Sequence, residues 1–577
     1  MPACRTLMPR IPSHRPERGF TMVELLAVLG ILAVLLVLSM PLAELTARRE
    51  REAELKQGLW ALRDAIDAYK HMADAGLIPQ STKSGYPPDL QTLVTGVRTN
   101  SSTTAYFLRS VPQDPFVANA PDGGWALRSY NSPPDHPAAG DDVFDIHSRS
   151  TETGPRAKCQ ARTDEGELFE GVNFASQDYL SLSSHPAVLE TAIETMREFG
   201  VHSAGSPALV GNTSLSLALE RKIGDFLGMG HVSLFSTGWA AGYGVIKGLV
   251  RSSDHIVVDA LSHACLQEGT HAATKNIHLF RHNDVEMARE KLARIRATDT
   301  ENGILLVTES LFSMDSDTPD LKALQEAAHE FNATLMVDVA HDLGCMGENG
   351  RGHIGMQDMV GKIDIVMGSF SKTFASNGGF VASHTRAVKE YMRYYSSPNT
   401  FSNALSPAQA AIVGKCFDIV DSDEGSALRR KLKNNIIMLR AFLERCDLET
   451  YGDPSPIVCV KMGHESLARL ASRRLPHAGL LANLVEFPAV PKGRARFRLQ
   501  VMANHTSRDI IDTVQRLAAA TQAAQAEDDA LKSGNVTLAE LEAQPLMPEA
   551  KSAANAVSLP VSSTRNVPQE FPKASVA

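Results

Sequence analysis

Beyond about residue 168 the sequence predicts an α/β fold built on a mostly parallel sheet with helices on both faces. Two observations carry this. Apolar, β-branched runs (Val232–Phe235, His255–Val258, Ile304–Thr308, Thr334–Asp338, Ile363–Met367) alternate with amphipathic helical patterns (Leu215–Phe226, Val285–Ala297, Leu321–Phe331). The polar and glycine-containing motifs fall just after those runs, at the carboxyl ends where such sheets bind ligands. A third observation sets the front of the chain apart: an almost unbroken apolar run from Leu25 to Leu42.

With 577 residues the chain is too long for one ordinary domain. Its 43% hydrophobic and 21% charged content is that of a globular protein, and a net charge of −9 argues against a nucleic-acid surface. The seven cysteines are odd in number and no pair has CxxC spacing, so neither a disulfide framework nor a metal site is expected.

The N-terminal apolar run, with Phe20, Met22 and Val23, reaches the ~20 residues needed to span a bilayer. A secretory signal peptide would stop at a small-residue cleavage site. Here the run passes instead into a helical pattern over Glu44–Tyr69. Glu24 is a carboxylate inside the apolar segment, expensive in lipid and so a functional candidate. The residues Arg18-Gly19-Phe20-Thr21-Met22-Val23-Glu24-Leu25 resemble the prepilin signal of type IV pilins and type II secretion pseudopilins. That resemblance implies cleavage between Gly19 and Phe20, methylation of Phe20, and pairing of Glu24 with a neighbouring subunit's terminal amine. Tyr86-Pro-Pro-Asp-Leu, Val111-Pro-Gln-Asp-Pro-Phe116 and Gly140-Asp-Asp-Val-Phe-Asp-Ile-His-Ser are similar to the small α+β domain of the major pseudopilin. Residues 1–19 are accordingly a leader, 20–148 a pseudopilin-like helix and domain, and 149–167 a polar linker. The large α/β domain is expected over 168–400, a smaller α+β domain over 401–525, and a disordered tail over 526–577.

Five motifs carry the chemistry of the second part. Ser369-Phe-Ser-Lys372 follows an apolar strand, where a fixed amine flanked by hydroxyls can form a Schiff base beside a bound phosphate. Asp338-Val-Ala-His341 closes another strand. A carboxylate there can keep a pyridine nitrogen protonated, and His341 can reach the ring's phenolic oxygen. Phe235-Ser-Thr237-Gly238-Trp239 places amides at a helix start, suited to phosphate. Asp259-Ala-Leu-Ser-His263 offers an imidazole able to stack on such a ring. In Arg494-Ala-Arg496-Phe-Arg498, strand alternation puts Arg496 and Arg498 on one face. A guanidinium fork there suits a carboxylate, and the bland alternative is a solvated edge strand.

Together with Ser176-Gln-Asp-Tyr, Glu309-Ser-Leu-Phe-Ser-Met-Asp, Gly350-Arg-Gly, Ser406-Pro-Ala-Gln-Ala and Phe487-Pro-Ala-Val-Pro, this order resembles the α-oxoamine synthases, from about Gly171 to Ala519. The resemblance implies a fold-type I pyridoxal-phosphate (PLP) enzyme with a seven-stranded sheet, working as a homodimer. It makes Lys372 the imine lysine and Asp338 the pyridinium partner, with His263 on the ring face and His341 at its oxygen. Thr237, Gly238, Trp239 and Ser369 hold the phosphate, with Ser402 reaching in from the other subunit. Ser313 and Arg498 contact the substrate carboxylate. The implied reaction joins a small amino acid to an acyl group from acyl-CoA or acyl carrier protein, with loss of CO2. Gln177, Val339, Ser216 and the segment His202-Ser-Ala-Gly-Ser-Pro depart from the family's pattern, which affects the substrate more than the machinery. Two other readings are an aminotransferase on the same fold and a structural pseudopilin carrying a vestigial enzyme domain. The front segment implies association with the membrane and with other pseudopilins, whereas the implied chemistry is cytoplasmic.

Overall fold

A computed structural model describes residues 54–55, 57–115, 124–132, 139–148, 156–162, 168–537 and 540–541. The leader and assembly residues Gly19, Phe20 and Glu24, the apolar run and the chain beyond 541 lie outside these. Among the described residues no helix is long and apolar enough to cross a membrane. The chain divides into two compact units, Met1–Thr151 and Glu152–Ala577.

In the first unit a helix covers 57–74. Its Leu62, Ile66, Tyr69 and Ala73 recur at helical spacing and pack on Leu90, Leu93, Trp125 and Ile146. Two short hairpins accompany it. β1 (Val97–Arg98) pairs with β2 (Thr104–Ala105), and β3 (Trp125–Arg128) with β4 (Asp145–Ser148).

The second unit opens with β5 (Lys158–Arg162), inside the stretch expected to be a linker. It pairs antiparallel with β6 (Leu168–Asn173). The central sheet contains β7 (His231–Phe235), β8 (His255–Asp259), β9 (Ile277–Phe280), β10 (Ile304–Glu309), β11 (Thr334–Asp338), β12 (Ile365–Ser369) and β13 (Gly379–Ser383). Its order is β7-β13-β12-β11-β10-β8-β9. β13 runs antiparallel to both its neighbours and the other six strands share one direction, so their carboxyl ends meet at one edge. Ile256, Val257, Leu306, Val307, Leu335 and Met336 are all buried, as a sheet covered on both faces requires.

A second sheet joins β14 (Thr450–Tyr451), β15 (Ile457–Gly463), β17 (Asn483–Val485) and β18 (Ala495–Gln500) in the order β14-β15-β18-β17. The remaining strand, β16 (Leu480–Leu481), pairs in parallel with β6. The expected boundaries therefore need three corrections. Residues 158–162 form a strand because their backbone finds β6. The head of the expected large domain is sheet-paired to residues near 480. The tail does not begin at 526, since the helix Ser507–Lys532 continues past it. That last helix is alanine-rich and polar, but Ala520, Ala524 and Asp528 lie on one buried face, and it packs against the helix Glu465–Ser472.

Candidate active site

β7, the helix after it and β12 build the first wall. Thr237 caps the helix Gly238–Leu249, its hydroxyl accepting the Ala240 N–H at 3.0 Å. The amides of Gly238 and Trp239 fall in the first turn and have no partner within the helix. Ser369 ends β12, and its hydroxyl lies 2.6 Å from that of Ser371. A Cβ on Gly238 would stand 2.3 Å from the Ser369 side chain, so only glycine allows this approach. Gly238→Ala is therefore expected to push the helix start off Ser369. The loss should be tenfold to roughly a hundredfold in affinity for a phosphate-bearing cofactor, read by titration of its absorbance. Trp239 is exposed and stacks on Tyr243 with ring centroids 5.1 Å apart, so its indole turns away from Ser369 and only its backbone amide belongs to the helix start.

The second wall is acidic. Asp338 ends β11 and is buried, with Oδ1 accepting the Ala340 N–H at 2.9 Å. Register places Glu309, the last residue of β10, directly beside it. Burial, with the Asp338 charge second, pushes the Glu309 carboxyl well above the usual carboxylate range. Burial also raises Asp338, but the Lys372 and His263 charges pull it back. Of the two adjacent carboxyls, Asp338 is the one the neighbouring cations favour most as an anion, since Lys372 and His263 both oppose its rise. Glu309 also accepts the backbone N–H of His263, which fixes the start of the helix Ala264–Ala273. The His263 ring remains open to solvent. The protein around it nonetheless lowers its pKa, against the pull of Asp338.

His341 is buried, and burial followed by the Lys372 and Arg498 charges holds its pKa well below the ordinary value. It is a neutral imidazole. Its Nδ1 lies 2.9 Å from the hydroxyl of Tyr179, a fully buried residue from the N-terminal end of the unit. Burial lifts the Tyr179 pKa well above normal, so its O–H stays protonated, and the contact holds the imidazole in place whichever of the two groups donates. Tyr179 and Glu309 both stand in motifs visible in the sequence, but their roles are missed there. An aromatic hydroxyl and a strand-end acid have no distinctive spacing, and only the fold brings them together.

Lys372 lies on the loop after β12, half-buried. Burial lowers its pKa, while Asp338 and Glu309 hold it up. A lowered pKa leaves more of the amine neutral, the form that attacks a carbonyl.

The two arginines of β18 have different fates. Neither is a solvated edge residue, because β18 is flanked by β15 and β17. Arg496 is 1% exposed, pairs with Asp315 at 2.7 Å, bonds the Met314 carbonyl and stacks on the Tyr451 ring at 4.0 Å. It is spent on holding the 313–315 loop. Arg498 touches that loop only through the Met314 sulfur at 4.0 Å, and its buried Nε has no hydrogen-bond partner. Ser313 precedes Met314 in the same loop. Ser402 is half-buried in the segment tied to residues 203–206, where the Ala404 amide bonds the Gly205 carbonyl and the Ser203 hydroxyl bonds the Ala404 carbonyl. It does not line the cleft at Lys372.

The cluster fits one kind of occupant. Gly238 and Ser369 form a seat that a Cβ would fill, Asp338 is a buried carboxyl, His341 is a buried neutral imidazole, and Arg498 has an orphaned N–H. Lys372 also lines a cleft of about 950 Å³, formed in part by residues 159–161, 175–178 and 375–377.

Comparison with known proteins agrees with this geometry. Residues 170–517 match the family described as aminotransferase class I and II, and residues 14–40 match the prokaryotic N-terminal methylation motif. The 8-amino-7-oxononanoate synthase of Saccharophagus degradans is 33% identical over 355 residues, 61% of this chain and 88% of that protein. The enzyme of the same name from Geobacter metallireducens is 34% identical over 350 residues, again 61% and 88%. Among solved structures, serine palmitoyltransferase from S. paucimobilis with a bound PLP–myriocin aldimine has a TM-score of 0.61 at 28% identity, covering 65% of this chain and 92% of that one. Sphingomonas wittichii serine palmitoyltransferase has a TM-score of 0.60 at 28% identity, covering 64% and 90%.

Proposed function

Since the chain belongs to the aminotransferase class I and II family, we infer that this PLP-dependent C-acyltransferase condenses a small amino acid with an acyl thioester and releases CO2. The observation that carries the reading is the meeting of Lys372, Asp338, Glu309, His263 and Arg498 at the carboxyl ends of the central strands and on the facing strand β18.

The coenzyme, when bound, supplies an electron sink for a carbanion at the amino acid's α-carbon. The chain's residues do the rest. Lys372 would hold the coenzyme, and its neutral amine would take the α-proton of the amino acid. Asp338 holds the ring nitrogen protonated. His341 reaches the ring oxygen. His263 covers the ring face. Thr237, Ser369 and the amides of Gly238 and Trp239 hold the phosphate, with Ser402 joining from a second subunit. Arg498, with Ser313, receives the carboxylate and so orients the bond that must break. Arg498→Lys should raise the KM for the amino acid roughly tenfold to a hundredfold, because a point charge replaces a planar fork, and should leave the coenzyme absorption unchanged.

The reading is tested by supplying the coenzyme-loaded protein with single amino acids and acyl-CoA. Free thiol and CO2 should appear in equal amounts. Release of an α-keto acid without CO2 would make it an aminotransferase, and no turnover with any pair would leave the unit vestigial. Val201, Leu209 and Val210, which flank the 203–206 segment, and Phe401, next to Ser402, are large exposed apolar residues, which supports a dimer closing there. The methylation motif supports membrane anchoring through the N-terminal segment, with cleavage after Gly19 and Glu24 serving assembly with other pseudopilins. Mass spectrometry of the mature N-terminus checks the cleavage.

A further inference from the structure

The cleft beside Lys372 has an unusual wall. Cys159, Gln160 and Ala161 all line it, although consecutive strand residues point to opposite faces. The cleft therefore runs along the backbone edge of β5. Among the described residues no strand pairs with that edge, because β5 is the outer strand of the order β16-β6-β5.

The hydrogen-bond phase shows which groups face outward. The Asn173 N–H bonds the Ala157 carbonyl, and the Val172 N–H turns away to Gly479. In an antiparallel ladder with Cys159 opposite Gly171, the residues exchanging bonds with β6 are then Ala157, Cys159 and Ala161. Gln160 turns its peptide N–H and C=O to the cleft. Its side chain is engaged elsewhere, with Nε2 3.4 Å from Glu170.

Much of the rest of the lining is small and neutral (Ala175, Ser176, Ala375, Ser376 and Ala482), and its larger members, Asn173, Gln177, Asn377, Pro476 and Leu481, are also uncharged. Its carboxyl, Asp178, bonds the amides of Leu182 and Ser183, and burial raises its pKa to about 6. The ligand such a cleft complements is long, thin and uncharged, carries its own secondary amides, and ends in a reactive group at Lys372.

We propose that the edge of β5 binds the pantetheine arm of the acyl donor by strand-like pairing, with the Gln160 peptide bonding an amide of the arm and the thioester delivered to Lys372. This rests on the thioester reading above and adds where the arm lies. Coenzyme A and acyl carrier protein both carry that arm, so the chemistry is shared.

The test uses the full coenzyme-loaded chain. Hydrogen exchange of the 158–162 peptide is followed with pantetheine, coenzyme A or holo-acyl carrier protein. Pantetheine should slow exchange at Gln160, and the stronger of the other two ligands identifies the natural source. Gln160→Pro removes the outward N–H and no ladder bond, a change edge strands tolerate. It should raise the KM for the acyl thioester about tenfold. The KM for the amino acid should stay within about twofold. If the proline variant loses its coenzyme, exchange in the wild-type chain decides. Unchanged exchange with all three probes, or protection by coenzyme A without protection by pantetheine, would overturn the proposal even if thiol release proceeds. Protection by pantetheine with no thiol release from any donor would keep the arm site and refute the condensation.

Discussion

Lys372→Ala is expected to abolish the visible absorption of the lysine-bound coenzyme and to lower kcat by a thousandfold or more, roughly the combined loss of a covalent anchor and a general base. The fold should survive. Lys372 is half-buried on a loop, and burial opposes its charge, so its removal relieves a desolvation cost while forfeiting the attraction of Asp338 and Glu309. Those two acids then lose a neighbouring cation. The pKa of each should rise further, since the Lys372 charge lowers both at present. An amino acid should still bind, because Arg498 and the phosphate seat are untouched. The measurement is a coenzyme titration followed by absorbance, paired with thiol release. A variant that kept both the band and the turnover would show that another amine holds the coenzyme.

The site was legible in outline because its motifs lie at strand ends, and strand ends are readable. All five expected strands form, displaced by no more than two residues: the run expected from Ile363 begins at Ile365. Less legible was whatever depends on pairing distant segments. β9 and β13 are only four and five residues long, and β13 lies antiparallel among parallel strands. Nothing in Lys158–Arg162 announces that β6 will pair with it, or that Leu480 will sit on the far side of β6. Alternation placed Arg496 and Arg498 on one face and could go no further. Asp315 and Tyr451 capture the first, and that capture leaves the second for a ligand. The helix past residue 526 was lost to its composition, because alanine and polar residues look disordered until a partner helix buries one face.

Asp338→Asn isolates the electronic role that Lys372→Ala cannot. Asparagine has the same shape, and its oxygen can still accept the Ala340 N–H that Asp338 accepts at 2.9 Å. The fold and the coenzyme absorption should therefore persist. What disappears is the carboxylate that, on the proposed reading, keeps the ring nitrogen protonated. The amide can at most hydrogen-bond a neutral ring, so the α-carbanion loses much of its stabilisation. The expected fall in kcat is about a thousandfold, with the KM for the acyl donor little changed. Glu309 cannot substitute. It already accepts from the His263 backbone, and burial, the largest of the effects raising its pKa, remains after Asp338 is neutralised. Its pKa should drop as the repulsion is removed but stay raised. A double variant, Asp338→Asn with Glu309→Gln, should accordingly be no slower than Asp338→Asn by more than the loss of His263 positioning. Wild-type kcat in the asparagine variant would mean that the charge at the end of β11 does not act on the ring, and the acidic wall would have to be reassigned to packing.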